Sequence, residues 1–128
     1  MKDKYLNAIA TGASVTAFAL TEPETGSDAA ALKTKATQQS DGTWVLNGRK
    51  TFITHADIAD IFIVVARSDP HSTGGKGVSV FLVPGDTPGL YAASLRRKWV
   101  SKARMSLSSH STTVSSQPAP CWVLKVKA

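Results

Sequence analysis

The step Asn47-Gly48, set between Thr43-Trp-Val-Leu46 and Arg49-Lys-Thr-Phe-Ile-Thr54, limits the possible folds of this chain more than any other feature. Both residues tolerate positive φ, and such a pair between apolar-rich arms is the strongest short-range signal for a tight β-hairpin. The expectation is a hairpin turning at 47–48. Similar grammar surrounds it. Residues 15–20 read as a buried strand, and residues 33–39 as a weak, polar strand turned by Asp41-Gly42. The run Ile61-Phe-Ile-Val-Val-Ala66 is rich in β-branched residues and reads as a central strand. Val78-Ser-Val-Phe-Leu-Val83 reads as another, closed by Pro84-Gly85, after a loop over 68–76 that carries Pro70 and Gly74-Gly75. A short helix over residues 2–10 places Tyr5, Leu6, Ile9 and Ala10 on one face and stops at Thr11-Gly12. Close-spaced short strands with turn signals between them predict a mainly β fold, a barrel or a sandwich.

Charge divides the chain in two. All nine acidic residues lie in positions 1–90 with eight Lys and Arg, a balance of −1; residues 91–128 hold the other seven basic residues and no acid, a balance of +7. The net charge of +6 therefore belongs to the tail, which weakens a nucleic-acid reading of the folded part. The segment 101–116 is mostly serine and threonine without sustained alternation, and it reads as a disordered, basic tail. The single cysteine, Cys121, allows no internal disulfide and no cysteine metal cluster. His55, His71 and His110 share no motif, and no HxxEH, CxxC, Walker or GxGxxG pattern occurs, so no metal site is expected. No apolar run approaches the roughly 20 residues of a membrane span, and the N-terminus lacks a secretory pattern, so the expected location is cytoplasmic.

One loop carries more polar chemistry than a turn requires. Phe18-Ala-Leu-Thr-Glu-Pro-Glu-Thr-Gly-Ser-Asp28 passes from an apolar segment into hydroxyls, carboxylates, a proline and a glycine. Ser27 or Asp28 could cap one helical turn through Ala29-Ala-Ala-Leu32. The loop also offers free backbone N–H groups and hydroxyls to an anionic or carbonyl-rich ligand. A structural turn with a cap and a ligand cradle both fit this composition.

The two stretches together, with Leu46-Asn-Gly-Arg-Lys-Thr-Phe-Ile-Thr54 following the first at the usual separation and Ala59-Asp60 preceding the central strand, resemble the middle domain of acyl-CoA dehydrogenases. Coverage runs from about Tyr5 to Leu90. The resemblance implies a middle β-barrel domain over 13–90, the end of an N-terminal helical domain over 1–12, and a basic tail over 91–128. It implies a flavin-dependent oxidoreductase of fatty acid metabolism that binds FAD, dehydrogenates acyl-CoA thioesters between Cα and Cβ, and passes electrons to electron-transferring flavoprotein. Acyl-CoA oxidases share the barrel and stand as an alternative, as does a non-functional truncated product. Members of the family form homo-oligomers. By the same resemblance Phe18, Leu20, Thr21, Gly26 and Ser27 would lie along the cofactor, the Leu20 backbone and Thr21 at the pyrimidine edge, and Gly26 and Ser27 near the pyrophosphate. Ser27 would also touch the pantetheine arm of the substrate. Phe52, Ile53 and Thr54 would flank the ring, with the Thr54 hydroxyl directed at N5; many relatives carry tryptophan where Phe52 stands. Glu22 and Asp28 are expected as loop-stabilising acceptors, not catalysts. No residue matches the family's glutamate base, so the chain alone is expected to be inactive, and its barrel to lack closing strands.

After Gly89-Leu90 the family pattern stops in this reading frame. Codons compatible with Lys98-Trp-Val-Ser-Lys102 also encode Met-Gly-Ile-Lys when read from the third base. Residues 110–113, 115–118 and 121–127 can encode further family-like runs in that same frame and in the family's order. A frame change between Leu90 and Lys98 is therefore expected to have produced the tail.

Overall fold

The strand Ile61–Arg67 organises the sheet in the computed structural model, which describes residues 2–95, 102–107 and 123–124. Eight strands follow the short helix α1 (Lys2–Ala10): β1 (Thr16–Ala19), β2 (Lys35–Gln38), β3 (Trp44–Thr51), β4 (Ile61–Arg67), β5 (Val78–Pro84), β6 (Leu90–Leu95), β7 (Lys102–Leu107) and β8 (Val123–Leu124). Their path is β6-β7-β3-β2-β4-β5-β8, with β1 also paired to β4; among the described residues it stays open, an incomplete barrel.

β4 earns its central place by its β-branched content, which suits a strand packed on both faces. β5 runs antiparallel along its whole length, from Ile61↔Pro84 to Arg67↔Val78. That occupies one edge. The other is shared: β1 runs parallel beside Ile61 to Val64, and β2 meets β4 at Lys35↔Arg67. Residues 20–34 therefore leave one edge of β4 and return to that same edge, where Arg67 N–H donates to the Thr34 carbonyl at 2.8 Å.

The core lies on one face of this arrangement. Ala17 and Ala19 of β1, Phe62, Val64 and Ala66 of β4, and Phe81 and Val83 of β5 are buried together, with Trp44 and Leu46 of β3 packed against them. Trp44 and Phe81 meet in a tilted pair, centroids 5.4 Å apart, a favourable geometry for two aromatic rings. Strand β1 is half-buried by alternation, not buried throughout as its composition suggests: Phe18 points outward and is 57% exposed.

The hairpin expected at Asn47-Gly48 is not formed. β3 runs straight through both residues, and the turn lies one signal earlier, at Asp41-Gly42. There Gln39 and Thr43 close the loop, Asp41 Oδ1 accepts from the Thr43 N–H at 2.9 Å, and Gly42 supplies φ +83°. Gly48 is required for a different reason: a Cβ there would stand 2.3 Å from Thr34 Oγ1 and 2.7 Å from Thr34 Cα. Asn-Gly permits a turn, but the close approach of another backbone uses the missing side chain instead.

Pairing also continues past residue 90. β6 and β7 form an antiparallel ladder from Leu90↔Leu107 to Leu95↔Lys102, and β7 pairs with the second half of β3. The irregular, disordered tail expected from 91 onward thus differs from the backbone of these two strands. Residues 96–101, 108–122 and 125–128, which include the remainder of that expectation, lie outside the described residues.

Candidate functional site

At Thr21 the chain leaves β1, and its carbonyl accepts the Thr51 N–H at 2.9 Å, where β3 ends. This bond brings the two sequence motifs side by side. Glu22 and Thr25 then exchange both backbone bonds, at 2.9 and 3.2 Å, closing a tight loop over Pro23-Glu24. Proline's fixed φ suits the first corner of such a turn.

The Glu22 side chain turns inward. Its Oε1 accepts from Lys50 Nζ at 2.8 Å and from the Thr34 N–H at 2.9 Å; its Oε2 accepts from the Lys33 N–H at 2.6 Å. Lys50 is fully buried and donates a second bond, to the Leu20 carbonyl, at 2.9 Å. Burial opposes the Glu22 charge, yet the bonds from Lys50 and the two backbone N–H groups outweigh it and hold the carboxyl below its ordinary value of 4.5. Burial also draws the Lys50 ammonium below the usual lysine value, and Glu22 restores only part of that loss. At 2.8 Å, with both side chains almost wholly buried, the two groups have the geometry of an internal ion pair. Glu22 is thus the loop-stabilising acceptor expected from sequence. Lys50 was not singled out there; the available signal was a lysine in phase with Trp44, Leu46 and Gly48 on the core side of β3.

Farther along the loop, Asp28 Oδ1 accepts from the Ala30 N–H at 3.1 Å and caps the single turn Ala29–Ala31. Of the two candidates, Asp28 is the cap and Ser27 is left exposed beside Gly26. A Cβ on Gly26 would meet nothing within 4 Å and its φ is not positive, so neither the chain's packing nor its backbone demands glycine there. An external group approaching the backbone would. Arg67 fastens the far side of the loop, donating to the Ala30 carbonyl at 2.5 Å and to the Ser72 carbonyl at 3.1 Å.

The second wall follows β3. Alternation from Lys50 would place Phe52 inside, but Phe52 adopts φ +57° and turns outward, 62% exposed, while Ile53 takes the buried phase at 1%. Thr54 is exposed again, and His55 is left-handed as well, at φ +62°. Such conformations cost non-glycine residues about 1–2 kcal/mol each and cluster at functional sites. Ile53, expected to flank a ring, offers only backbone, since its side chain belongs to the core. The Thr51 hydroxyl is buried at this junction without a hydrogen-bond partner among the described residues.

Leu20, Thr21, Phe52 and Thr54 therefore emerge from the ends of two strands joined by a direct bond, with Phe18 on the outward face of β1 and Gly26 and Ser27 farther along the loop. An exposed aromatic side chain, the exposed Ser27 and Thr54 and an unhindered glycine backbone suit a flat, carbonyl-rich ring carrying a phosphate tail. A flavin dinucleotide fits that description. Among the described residues no cluster of His, Cys, Asp or Glu could hold a metal ion, and no helix is long and apolar enough to cross a membrane.

This fold and site define an incomplete β-barrel with a two-walled polar-aromatic rim, and comparison with known proteins assigns its family. The profile of the acyl-CoA dehydrogenase middle domain matches residues 17–110, so the chain belongs to the acyl-CoA dehydrogenase family. The match continues past the boundary expected at residue 90. A probable short/branched chain specific acyl-CoA dehydrogenase of Dictyostelium discoideum is 52% identical over 89 residues, covering 70% of this chain and 21% of that protein. A glutaryl-CoA dehydrogenase of Mycobacterium smegmatis, solved in complex with FADH2, superposes with a TM-score of 0.73 at 35% identity, over 84% of this chain and 27% of the other. The prolyl acyl carrier protein oxidase AnaB superposes with a TM-score of 0.75 at 36% identity, over 84% and 29%. The chain thus spans about a fifth of the curated relative's length.

Proposed function

We propose that this chain forms the FAD- and thioester-facing barrel of a flavin-dependent acyl-CoA dehydrogenase. The observation that carries the reading is the Thr21–Thr51 junction, which aligns the Leu20-Thr21 turn with the outward Phe52 and Thr54. Thr21 would bond the pyrimidine edge, Phe18, Phe52 and the Ile53 backbone would border the ring, Thr54 would face N5, and Gly26 and Ser27 would receive the pyrophosphate. Ser27 would also contact the substrate's pantetheine arm. When bound, the flavin supplies the hydride acceptor; donors at its pyrimidine edge favour the negative charge that reduction builds there.

The carboxylates beside this site are already engaged, Glu22 by Lys50 and Asp28 by its cap, so neither is poised to take a proton from Cα. We therefore expect no turnover by the chain alone. Electron-transferring flavoprotein is the proposed acceptor, and a homo-oligomer in the cytoplasm the proposed setting. A dehydrogenase and an oxidase resemble this barrel equally well, at 35% and 36% identity, so an oxidase-type acceptor is the second reading. The frame change remains the proposed origin of the tail: its acid-free composition supports it and the in-frame family match to residue 110 opposes it, so sequencing the encoding DNA tests it, and absence of a family-like continuation in the alternative frame ends that proposal.

Titrating FAD into the isotope-labelled chain tests the cofactor assignment. Saturable shifts of the Thr21 and Thr51 amides are expected, weak because one barrel supplies only part of the contacts. Thr21→Val and Thr54→Val should each weaken binding about three- to tenfold, the worth of one hydrogen bond. No shift up to millimolar FAD, or unaltered binding in both variants, removes the assignment.

A further inference from the structure

Both feet of the excursion over residues 20–34 are tied to one buried cation. At the first foot Lys50 Nζ holds the Leu20 carbonyl; at the second, the Glu22 carboxylate bound to Lys50 also receives the Lys33 and Thr34 N–H groups. Lys50 lies next to Thr51 on the strand that supplies the other wall, so one side chain sets the register between the two walls. A second consequence follows from peptide planarity. A trans peptide points its C=O and its N–H in opposite directions. With the Leu20 carbonyl drawn inward to Lys50, the Thr21 N–H of the same peptide is turned away from the core. It has no hydrogen-bond partner among the described residues.

We propose that Lys50, with Glu22 as its counter-ion, is a positioning residue that aims the Leu20–Thr21 peptide at the ligand. This rests on the flavin reading above. Stability alone does not call for the pair: burying two charges is expensive, and a well-packed apolar pair of similar volume is often as stable or more so. An apolar pair cannot orient a carbonyl.

Three variants test this, each examined in the full chain by amide hydrogen exchange and by FAD titration: Lys50→Met, Glu22→Gln, and the double apolar variant Lys50→Met/Glu22→Leu. Lys50→Met should expose the Thr51 N–H to exchange while β4 and β5 stay protected, and should weaken FAD binding about tenfold, the scale of a lost charged hydrogen bond. Glu22→Gln keeps an acceptor for Lys50 and should weaken binding less. The double variant discriminates most sharply: its thermal midpoint should return toward wild type while FAD affinity does not. Recovery of both, or unchanged affinity and Thr51 protection in Lys50→Met, overturns the proposal. If Lys50→Met fails to fold, the double variant and Glu22→Gln decide. Should wild type bind no FAD, the flavin reading falls and the aiming of the peptide at a flavin falls with it; exchange at Thr51 then still shows whether Lys50 holds the junction.

Discussion

Two lysine–glutamate pairs brace the same loop, and they differ in almost everything but chemistry. Lys50–Glu22 lies inside, where both side chains are almost wholly removed from water and every bond reaches a strand or a loop foot. Lys33–Glu24 lies at the rim of an open cleft bordered also by Asn47 and Arg49, with both side chains about two-thirds exposed. Coulomb attraction in water is small and screened, and holding two long side chains together costs entropy. Inside, the pair is costly to bury but far more costly to break, because the survivor remains a lone charge. The inner pair therefore determines where the backbone goes, and the outer pair only follows it.

The largest expected effect breaks the inner pair. Lys50→Met should lower the unfolding free energy by about 3–5 kcal/mol, measured by urea titration; a loss no larger than that of a surface substitution would erase the contrast between the two pairs. Next is the floor between them. Gly48→Ala must push a methyl group into Thr34, including its backbone, and should cost about 1–3 kcal/mol in the same titration. The variant's Thr34 amide should shift strongly in NMR spectra.

A smaller, graded effect comes from acid. Because the Glu22 carboxyl titrates below its ordinary 4.5 in the folded chain, its contribution is fully present above about that pH. It is lost as the pH falls through the folded-state value. The stability gap between wild type and Glu22→Gln should thus be constant near neutrality and narrow as the pH drops below about 4.5. A gap independent of pH would show that the carboxylate charge does not matter. The smallest effect belongs to the rim: Lys33→Ala should leave the thermal midpoint unchanged within error, at low and at high salt alike. A clear salt-dependent loss would move the outer pair into the same class as the inner one.

Much of this architecture could be read from the chain itself. The apolar runs at 61–66 and 78–83 announced β4 and β5, Asp41-Gly42 announced the true hairpin, and the two polar-aromatic motifs announced the walls. What escaped depended on partners distant in sequence. Asn47-Gly48 satisfies a turn's steric needs, but only the approach of Thr34 explains why the strand continues. Lys50 looked like one more charged residue in a strand, and its burial makes sense only once Glu22 lies opposite. Strict alternation places Phe52 inside and Ile53 outside; the left-handed backbone at Phe52 reverses them, a local break that period-2 counting does not detect. The ladder of β6 with β7 runs through a segment without clear alternation, so nothing local foretold it.

Because β1 and β2 share a single edge of β4, the residues between them behave as a cassette inserted beside a continuous rail. Its length is loosely constrained: doubling a flexible loop adds only about 0.6 kcal/mol of closure entropy. New side chains, or extra residues between Gly26 and Leu32, can therefore be tried without re-registering any strand, provided the first foot stays bound to Lys50 and the second to Glu22. A lineage could revise the ligand face of such a protein piece by piece while its sheet stayed fixed.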